Sequence, residues 1–398
     1  MRVLVGWENP SEAETIDLIL NVNEVDAEVV DDDQKFLSKA NDGWDAIVMS
    51  LSFPSNEQAF ELFEQVTASA KSVPVIGVWK QGEIGHLAKF IAAGLHSHLM
   101  RDADGSFIML FRTMIEAAIA AMEAQRSIIL AGRLREEVES VRRLQENVIP
   151  HDLPQPTGYK IAAKYEPSQI RVLGTNPVAM AGGDYYDMFH IDDDRMILLV
   201  GDASGHGVKA CMSIMTMHTL IRMIRTNKYP NTADFVAEIN RRLCMNQIVH
   251  DEGGFITLLY STLNFKNHKL TWTSAGAPIP MVQDLATNTV TLIGDNDDGG
   301  LPLAILEDFE YDEHSFEVPP NSRLLIFTDG LDEAFPMLSE ERTGTEIQFG
   351  LEGIIESLKN SVSLPVDQAL QKLFDDSNEF TQGAGRMDDT SVVLFERT

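Results

Sequence analysis

The 398-residue sequence predicts an α/β doubly wound N-terminal domain, a helical linker and a C-terminal α+β domain in which two sheets carry helices outside, an α-β-β-α sandwich. Three observations lead there. Over the first ~120 residues short apolar runs alternate with helix-like stretches, the pattern of buried parallel strands covered on both faces. From Ser106 to Val148 there is no proline and one glycine, Gly132, so a long helix or two joined helices can run out of that region. Beyond Pro154 the β-rich runs come in groups with helices between the groups, which favours stacked sheets over a second βαβ array.

In order, the first region reads as a strand at Val3 to Val5, a helix near Ala13 to Leu20, and a strand at Ala27 to Val30. Ala46 to Met49, Val75 to Val78 and His98 to Met100 continue the strands. Helices at Glu57 to Ala70 and Ile84 to Ala93 lie between them. In the linker, Leu134, Val138, Val141 and Val148 follow a seven-residue pattern with Gln145 as the polar seam position, and Pro150 ends it. About two heptads fit a short coiled coil or a helix packed on its own domain equally well. Strands are then expected at Met196 to Val200, Phe255 to Leu263, Lys269 to Thr273, Thr289 to Ile293, Arg323 to Thr328 and Ser391 to Phe395. Helices are expected near Gly207 to Arg225, Asp234 to Asn246 and Leu351 to Ser357. The domain division is 1–122, 123–150 and 151–398.

Charge narrows the function classes. Thirty-one Lys and Arg stand against 61 Asp and Glu, a formal charge of -30, which repels phosphate backbones and anionic lipid, so neither nucleic acid nor membrane is an expected partner. Cys211 and Cys244 have no zinc or redox spacing and are expected as buried thiols. The start, MRVLVGWENP, has no signal-peptide pattern, and the apolar window Phe107 to Met122 contains Arg112 and Glu116, so the expected location is the cytoplasm.

In the first region WENP follows the first strand and SLSFP the third. There the chain resembles, in outline, the receiver domain of two-component response regulators. Aligned on Pro54, Ser50 stands where that family has its phosphorylated Asp, and Trp7 and Glu8 stand at its acidic pair. Trp79 replaces the usual Thr or Ser, and Arg101 lies near the usual Lys. An aspartyl phosphate needs a carboxylate nucleophile and a magnesium ion held by acids, and Ser50 and Trp7 offer neither. A non-phosphorylatable interaction domain is expected, with Glu8 and Asp45 as the remaining acids near the site.

Four acidic points mark the second half: Asp184 in AGGDYYD, Asp202 in VGDASGHG, Asp329 in FTDG and Asp388 in RMDDTS. Carboxylates at strand ends beside glycines can converge, and an all-oxygen set suits magnesium or manganese rather than zinc. Two such ions activate water and neutralise a phosphoryl group, so the expected substrate is a phosphate ester. Any single Asp-Gly pair is more often a turn than a ligand, and it is the conjunction of the four that points to a site.

Together RRLQENVIPHDLP, GGDYYD, GDASGHGVKA, FITLLYSTL, SAGAPIP, GLPLAI, FTDGLDEA and DDTSVVL resemble the metal-dependent PPM (protein phosphatase 2C-like) family, and within it the bacterial sporulation and stress-response branch. The resemblance implies two Mn2+ or Mg2+ ions held by Asp184, Asp202, Asp329 and Asp388, with the Ala203 carbonyl as a backbone ligand. It implies hydrolysis of phosphoserine or phosphothreonine without a covalent phosphoenzyme. It further implies a phosphorylated regulatory protein as substrate, such as an anti-sigma factor antagonist in a partner-switching pathway. Regulation would come from the N-terminal domain and its unknown regulator, and a homodimer through the linker helix is compatible. His206 is a candidate general acid or a helix cap, and Asp187 and Asp389 are candidates for orienting a ligand. Two departures stand out: Ala277 occupies the family's usual His position, and SQIRVLGTNPVAMA is longer than the usual connection. Two rival readings are an adaptor without activity that binds a sigma factor or other regulator, and a phosphatase of small molecules or nucleotides.

Overall fold

Alternation along the first strand, β1 (Arg2–Gly6), sets the layering of the N-terminal unit. Val3 and Val5 join one buried cluster and Leu4 the other, as period-two side chains must. The structure is a computed structural model describing residues 1–22, 24–102, 105–170, 178–225, 229–250, 253–336, 348–382 and 388–398. It divides into two units, Met1–Leu134 and Arg135–Thr398.

In the first unit α1 (Pro10–Val22), β2 (Asp26–Val30), α2 (Asp33–Lys39), β3 (Ala46–Ser50), α3 (Ala59–Ser69), β4 (Val75–Lys80), α4 (Ile84–Ala92) and β5 (Ser97–Arg101) follow β1. The strands form a parallel sheet in the order β2-β1-β3-β4-β5, in which the chain adds β2 on one side of β1 and β3 on the other. Such sheets open a crevice outside the carboxyl ends of those strands. Ile16 and Leu20 of α1 pack on the face of Val3, Val5 and Trp7, together with Phe107, Phe111 and Ile115. Phe36 of α2, Phe63 of α3 and Phe90 of α4 cover the other face against Leu4, Ile47 and Met49.

The prolineless stretch is one helix, α5 (Phe111–Glu146). Its first turns are buried through Phe111 and Ile115, whereas Ile128, Ile129, Leu130 and Leu134 are exposed. Further along, Arg142 pairs with Glu139 at 2.7 Å and with Glu146, which ties consecutive turns together. The seven-residue pattern therefore splits. Leu134 faces solvent, Gln145 is fully buried, and Val148 packs against the main core of the second unit.

That unit contains β6 (Tyr159–Glu166), β7 (Gln169–Ile170), β8 (Val178–Ala179), β9 (Asp184–His190), β10 (Arg195–Ala203), α6 (Val208–Ile224), α7 (Thr232–Cys244) and α8 (Gln247–His250). It continues through β11 (Ile256–Asn264), β12 (Lys269–Ala275), β13 (Met281–Asp284), β14 (Thr289–Leu292), β15 (His314–Glu317), β16 (Ser322–Phe327), α9 (Gly350–Asn360), α10 (Val366–Phe380) and β17 (Thr390–Arg397). Two antiparallel sheets result, β15-β12-β11-β10-β9 and β14-β13-β16-β17-β6, with β7 and β8 paired apart. Leu324, Ile326, Val393 and Phe395 face the first sheet's core, while their neighbours Leu325, Phe327, Val392 and Leu394 face Leu358 of α9 and Leu373 and Phe374 of α10. Ile214 and Ile221 of α6 and Val236 and Ile239 of α7 join the first sheet's core. Each fully buried aliphatic or aromatic side chain contributes roughly 1.5–3 kcal/mol over exposure.

Cys211 is buried as expected, but Cys244 is half-buried, and neither is in a disulfide. No helix among the described residues is long and apolar enough to cross a membrane.

Candidate functional site

Asp184 opens β9 and stands directly opposite Asp202 near the end of β10 in the antiparallel ladder. Side chains so placed have Cβ atoms about 4.5–5.5 Å apart, and like charges there repel. Both are buried, Asp184 completely and Asp202 to 7% exposure, so water cannot screen them. The second sheet supplies the other acids from the adjoining ends of β16 and β17, which pair up to Phe327 and Val392. Asp329 follows β16, and Asp388 and Asp389 precede β17. The two sheets are linked here by the Thr328 hydroxyl, which donates to Asp184 Oδ2 at 2.6 Å.

Glycines admit this approach. A Cβ on Gly183 would stand 2.6 Å from the Ala203 carbonyl oxygen and 2.9 Å from Asp202 Oδ1. One on Gly330 would overlap the Asp389 carbonyl oxygen, so the FTDG turn can lie against the β17 entry strand only without a side chain.

The loop before β9 is held from two sides. Gln145 accepts from the Gly182 amide at 2.7 Å and donates to the Asp184 carbonyl at 3.0 Å. Asp389 accepts from the Gly183 amide at 2.5 Å through one oxygen and from the Ser168 amide at 2.7 Å through the other. Both residues are buried.

Burial first, then the charges of Asp389 and Asp329, pushes the Asp184 carboxyl far above the usual carboxylate range. Burial and the charges of Asp184, Asp329 and Asp388 do the same to Asp202. Burial raises Asp329 as well, and mainly by burial Asp388 is pushed up to about 6 and Asp332 to about 7. Asp184 Oδ1, Asp202 Oδ1, Asp329 Oδ1 and Asp332 Oδ1 are buried without a hydrogen-bond partner. Crowded carboxylates with orphaned oxygens are what a hard divalent cation satisfies. Among the described residues no three acidic, imidazole or thiol groups already close around one point. Magnesium-type ions keep several waters and need few protein oxygens, so the donor set fits them.

The four expected Asp and the Ala203 carbonyl thus lie at strand ends around one region. The other candidates separate. His206 is exposed, and α6 is capped by Gly207 with no side-chain cap, so the histidine does not cap it. Asp187, three residues from Asp184, lies on the opposite face of β9, pairs with Arg222 at 2.6 Å and accepts from Tyr185 Oη at 2.7 Å, tying α6 to the sheet. Asp389 grips backbone. Ala277 is buried, and its amide bonds Ser274 Oγ at 3.0 Å. Thr328 and Asp332 lie outside the expected set; they stand one residue before and three residues after Asp329, and polar groups close in sequence to that acid are the signal that points to them.

At the carboxyl edge of the N-terminal sheet, Ser50 is buried and Trp7 belongs to the apolar core. Glu8 pairs with Arg101 at 2.8 Å and Lys80 at 3.1 Å, and Arg101 also bonds Glu12. Burial alone would raise the Glu8 carboxyl, but hydrogen bonds with Ser50, its own backbone, Arg101 and Lys80 hold it below its usual range. Trp79 is partly buried against the core. Asp45 sits at the other end of β3, bonded to the Arg2 amide at 2.7 Å. Two cations therefore occupy the acids of this edge.

Residues 192–398 match the family model described as Stage II sporulation protein E (SpoIIE). Phosphoserine phosphatase RsbU of Bacillus subtilis is 26% identical over 253 residues, 63% of this chain and 70% of RsbU. Phosphoserine phosphatase RsbP of the same organism is 24% identical over 200 residues, 50% of this chain and 45% of RsbP. Among solved structures, the SiaA-PP2C domain of Pseudomonas aeruginosa superposes with a TM-score of 0.52 at 15% identity, covering 67% of this chain and 98% of that one, a likeness of fold.

Proposed function

The chain belongs to the Stage II sporulation protein E (SpoIIE) family, and from that premise we propose that it is a metal-dependent phosphatase. Its proposed substrate is a phosphoserine or phosphothreonine on a regulatory protein, of the anti-sigma factor antagonist class. The observation that carries this reading is the buried opposition of Asp184 and Asp202 across one ladder, each with an orphaned oxygen. The relatives RsbU and RsbP bear the name phosphoserine phosphatase, which supports the substrate class.

Asp184, Asp202, Asp329, Asp388 and the Ala203 carbonyl would hold two Mn2+ or Mg2+ ions. When bound, such ions polarise a phosphoryl group and lower the pKa of water to make a nucleophile near neutral pH. The chain's own part is to place oxygens. Gln145 and Asp389 fix the Gly182–Gly183 backbone, and the glycines keep the Ala203 carbonyl and Asp202 uncovered. No cysteine nucleophile takes part, and Cys211 is buried, its thiol pushed up by burial.

The layering of two sheets with outer helices fits the α-β-β-α sandwich of the PPM fold. The N-terminal sheet, with cations paired to its acids, fits a receiver-like domain that no longer accepts phosphate and regulates through contact. In this reading residues 1–122 regulate, 123–150 transmit and can pair two copies, and 151–398 catalyse, in the cytoplasm.

Phosphate release from a phosphoserine peptide and from a nucleoside monophosphate, each with Mn2+, with Mg2+ and with chelator, tests the proposal. Faster metal-dependent release from the peptide is expected. Preference for the nucleotide would replace the substrate class, and no release from either would leave the adaptor that binds a regulator.

A further inference from the structure

We propose that Thr328 is a positioning residue that assigns the two oxygens of Asp184, committing Oδ2 to the protein and turning Oδ1 toward a metal ion. This rests on the reading of Asp184 as a metal ligand.

A threonine hydroxyl has one proton to give. Thr328 Oγ1 accepts from the Ser391 amide at 2.8 Å, so that side of the oxygen is taken by an incoming proton. Its own proton has two acceptors in reach: Asp184 Oδ2 at 2.6 Å and the Ser391 carbonyl at 3.4 Å. The short bond to a carboxylate is much the stronger, and the carbonyl at 3.4 Å already accepts from the Thr328 amide at 3.0 Å. The hydroxyl therefore points at Asp184.

Thr328 is 1% exposed and Asp184 wholly buried, so no water competes for either. With Oδ2 bonded, Asp184 has Oδ1 left, and that atom is buried without a partner, as is Oδ1 of the opposing Asp202. The β-branched Thr328 side chain, one residue past the last ladder pair, has little rotamer freedom, so the bond holds Oδ2 in place and leaves Oδ1 open. Outer partners of this kind typically set metal affinity by about 10–100-fold.

The test is calorimetric titration of Mn2+ into the full chain, with no substrate present. Thr328→Val keeps shape and removes the donor; Thr328→Ser keeps the donor and loses a methyl. The valine variant is expected to bind Mn2+ about 10–100-fold more weakly, and the serine variant within about threefold of the parent. Thermal unfolding of the metal-free variants verifies that each is folded. If the valine chain does not fold, Thr328→Cys, a weak donor through a longer bond, takes its place in the same comparison. Parent-like binding by the donor-deficient variant, or equal weakening by valine and serine, would overturn the positioning role. A parent chain that takes up no Mn2+ would overturn the reading of the site itself.

Discussion

Gln145, at the end of a 36-residue helix, holds Asp184 by its backbone: it donates to the Asp184 carbonyl at 3.0 Å and accepts from the Gly182 amide two residues earlier at 2.7 Å. The strand that opens with Asp184 is thereby hung on the last turn of that helix. Gln145→Ala should leave the Gly182 amide and the Asp184 carbonyl without partners. The expected outcome is an about tenfold or greater rise in the Mn2+ concentration needed for half-maximal phosphate release. An unchanged metal requirement would show that the helix end only packs.

Metal uptake should weaken as the pH falls. Asp388 lies near 6 and Asp332 near 7 because they are buried, and Asp184, Asp202 and Asp329 are raised as well. Bound protons must leave before a cation can bind, so Mn2+ affinity measured by calorimetry should drop between pH 8 and pH 6, with proton release visible as a buffer-dependent heat.

The same shifts give the metal-free chain a definite pH response. An acid whose folded pKa is raised contributes stability that is complete below its unfolded value near 3.9 and is lost as pH rises through the folded value. For this cluster the metal-free fold should therefore be less stable at pH 8 than at pH 6. Asp202→Asn, which removes one of the opposed charges, should keep or raise the metal-free thermal midpoint at pH 8. Turnover should fall by more than about a hundredfold if Asp202 holds a metal ion as proposed. A lower midpoint together with retained turnover would contradict both halves.

Gly330→Ala is expected to cost about 1–3 kcal/mol or more in denaturant unfolding, because the new methyl would overlap the Asp389 carbonyl oxygen and backbone must move. Activity should fall with it, as Asp329 and Asp388 would be pushed apart.

The N-terminal unit should not take phosphate onto a carboxylate from a small phosphodonor. Ser50, at the end of β3, offers no carboxylate, Asp45 lies at the far end of that strand, and Glu8 is held by Arg101 and Lys80. Acid-stable or absent labelling is expected; a base-labile acyl phosphate would contradict it.

How far the sequence carried depends on where each residue's partner lies. Strands with uninterrupted apolar runs, such as Met196 to Val200 in β10, are legible because burial on both faces needs no partner information. Strand β9 is not, since Asp184, Asp187 and the tyrosines break any apolar pattern; the buried Asp187 is matched by Arg222 of α6, far along the chain, as well as by Tyr185 Oη. The placement of Asp184, Asp202, Asp329 and Asp388 at strand ends is legible from acids beside turns, three of them next to glycine, and from the family resemblance. Gln145 shows the limit. As a position in a seven-residue pattern it reads as a polar seam residue, and its donor, the Gly182 amide, and its acceptor, the Asp184 carbonyl, lie 37 and 39 positions away in sequence. Helix α10, absent from the expected elements, carries a legible pattern: Ala369, Leu370, Leu373, Phe374 and Ser377 recur at helical spacing and are all buried.

The most direct test of the central claim is release of phosphate from a phosphoserine peptide by the full chain with Mn2+, compared with the chelator-treated chain and with Asp329→Asn. Release by the parent chain with metal, and loss in both comparisons, is the predicted result. Equal release by the chelated chain or by the Asp329 variant would contradict a metal site built from these strand ends.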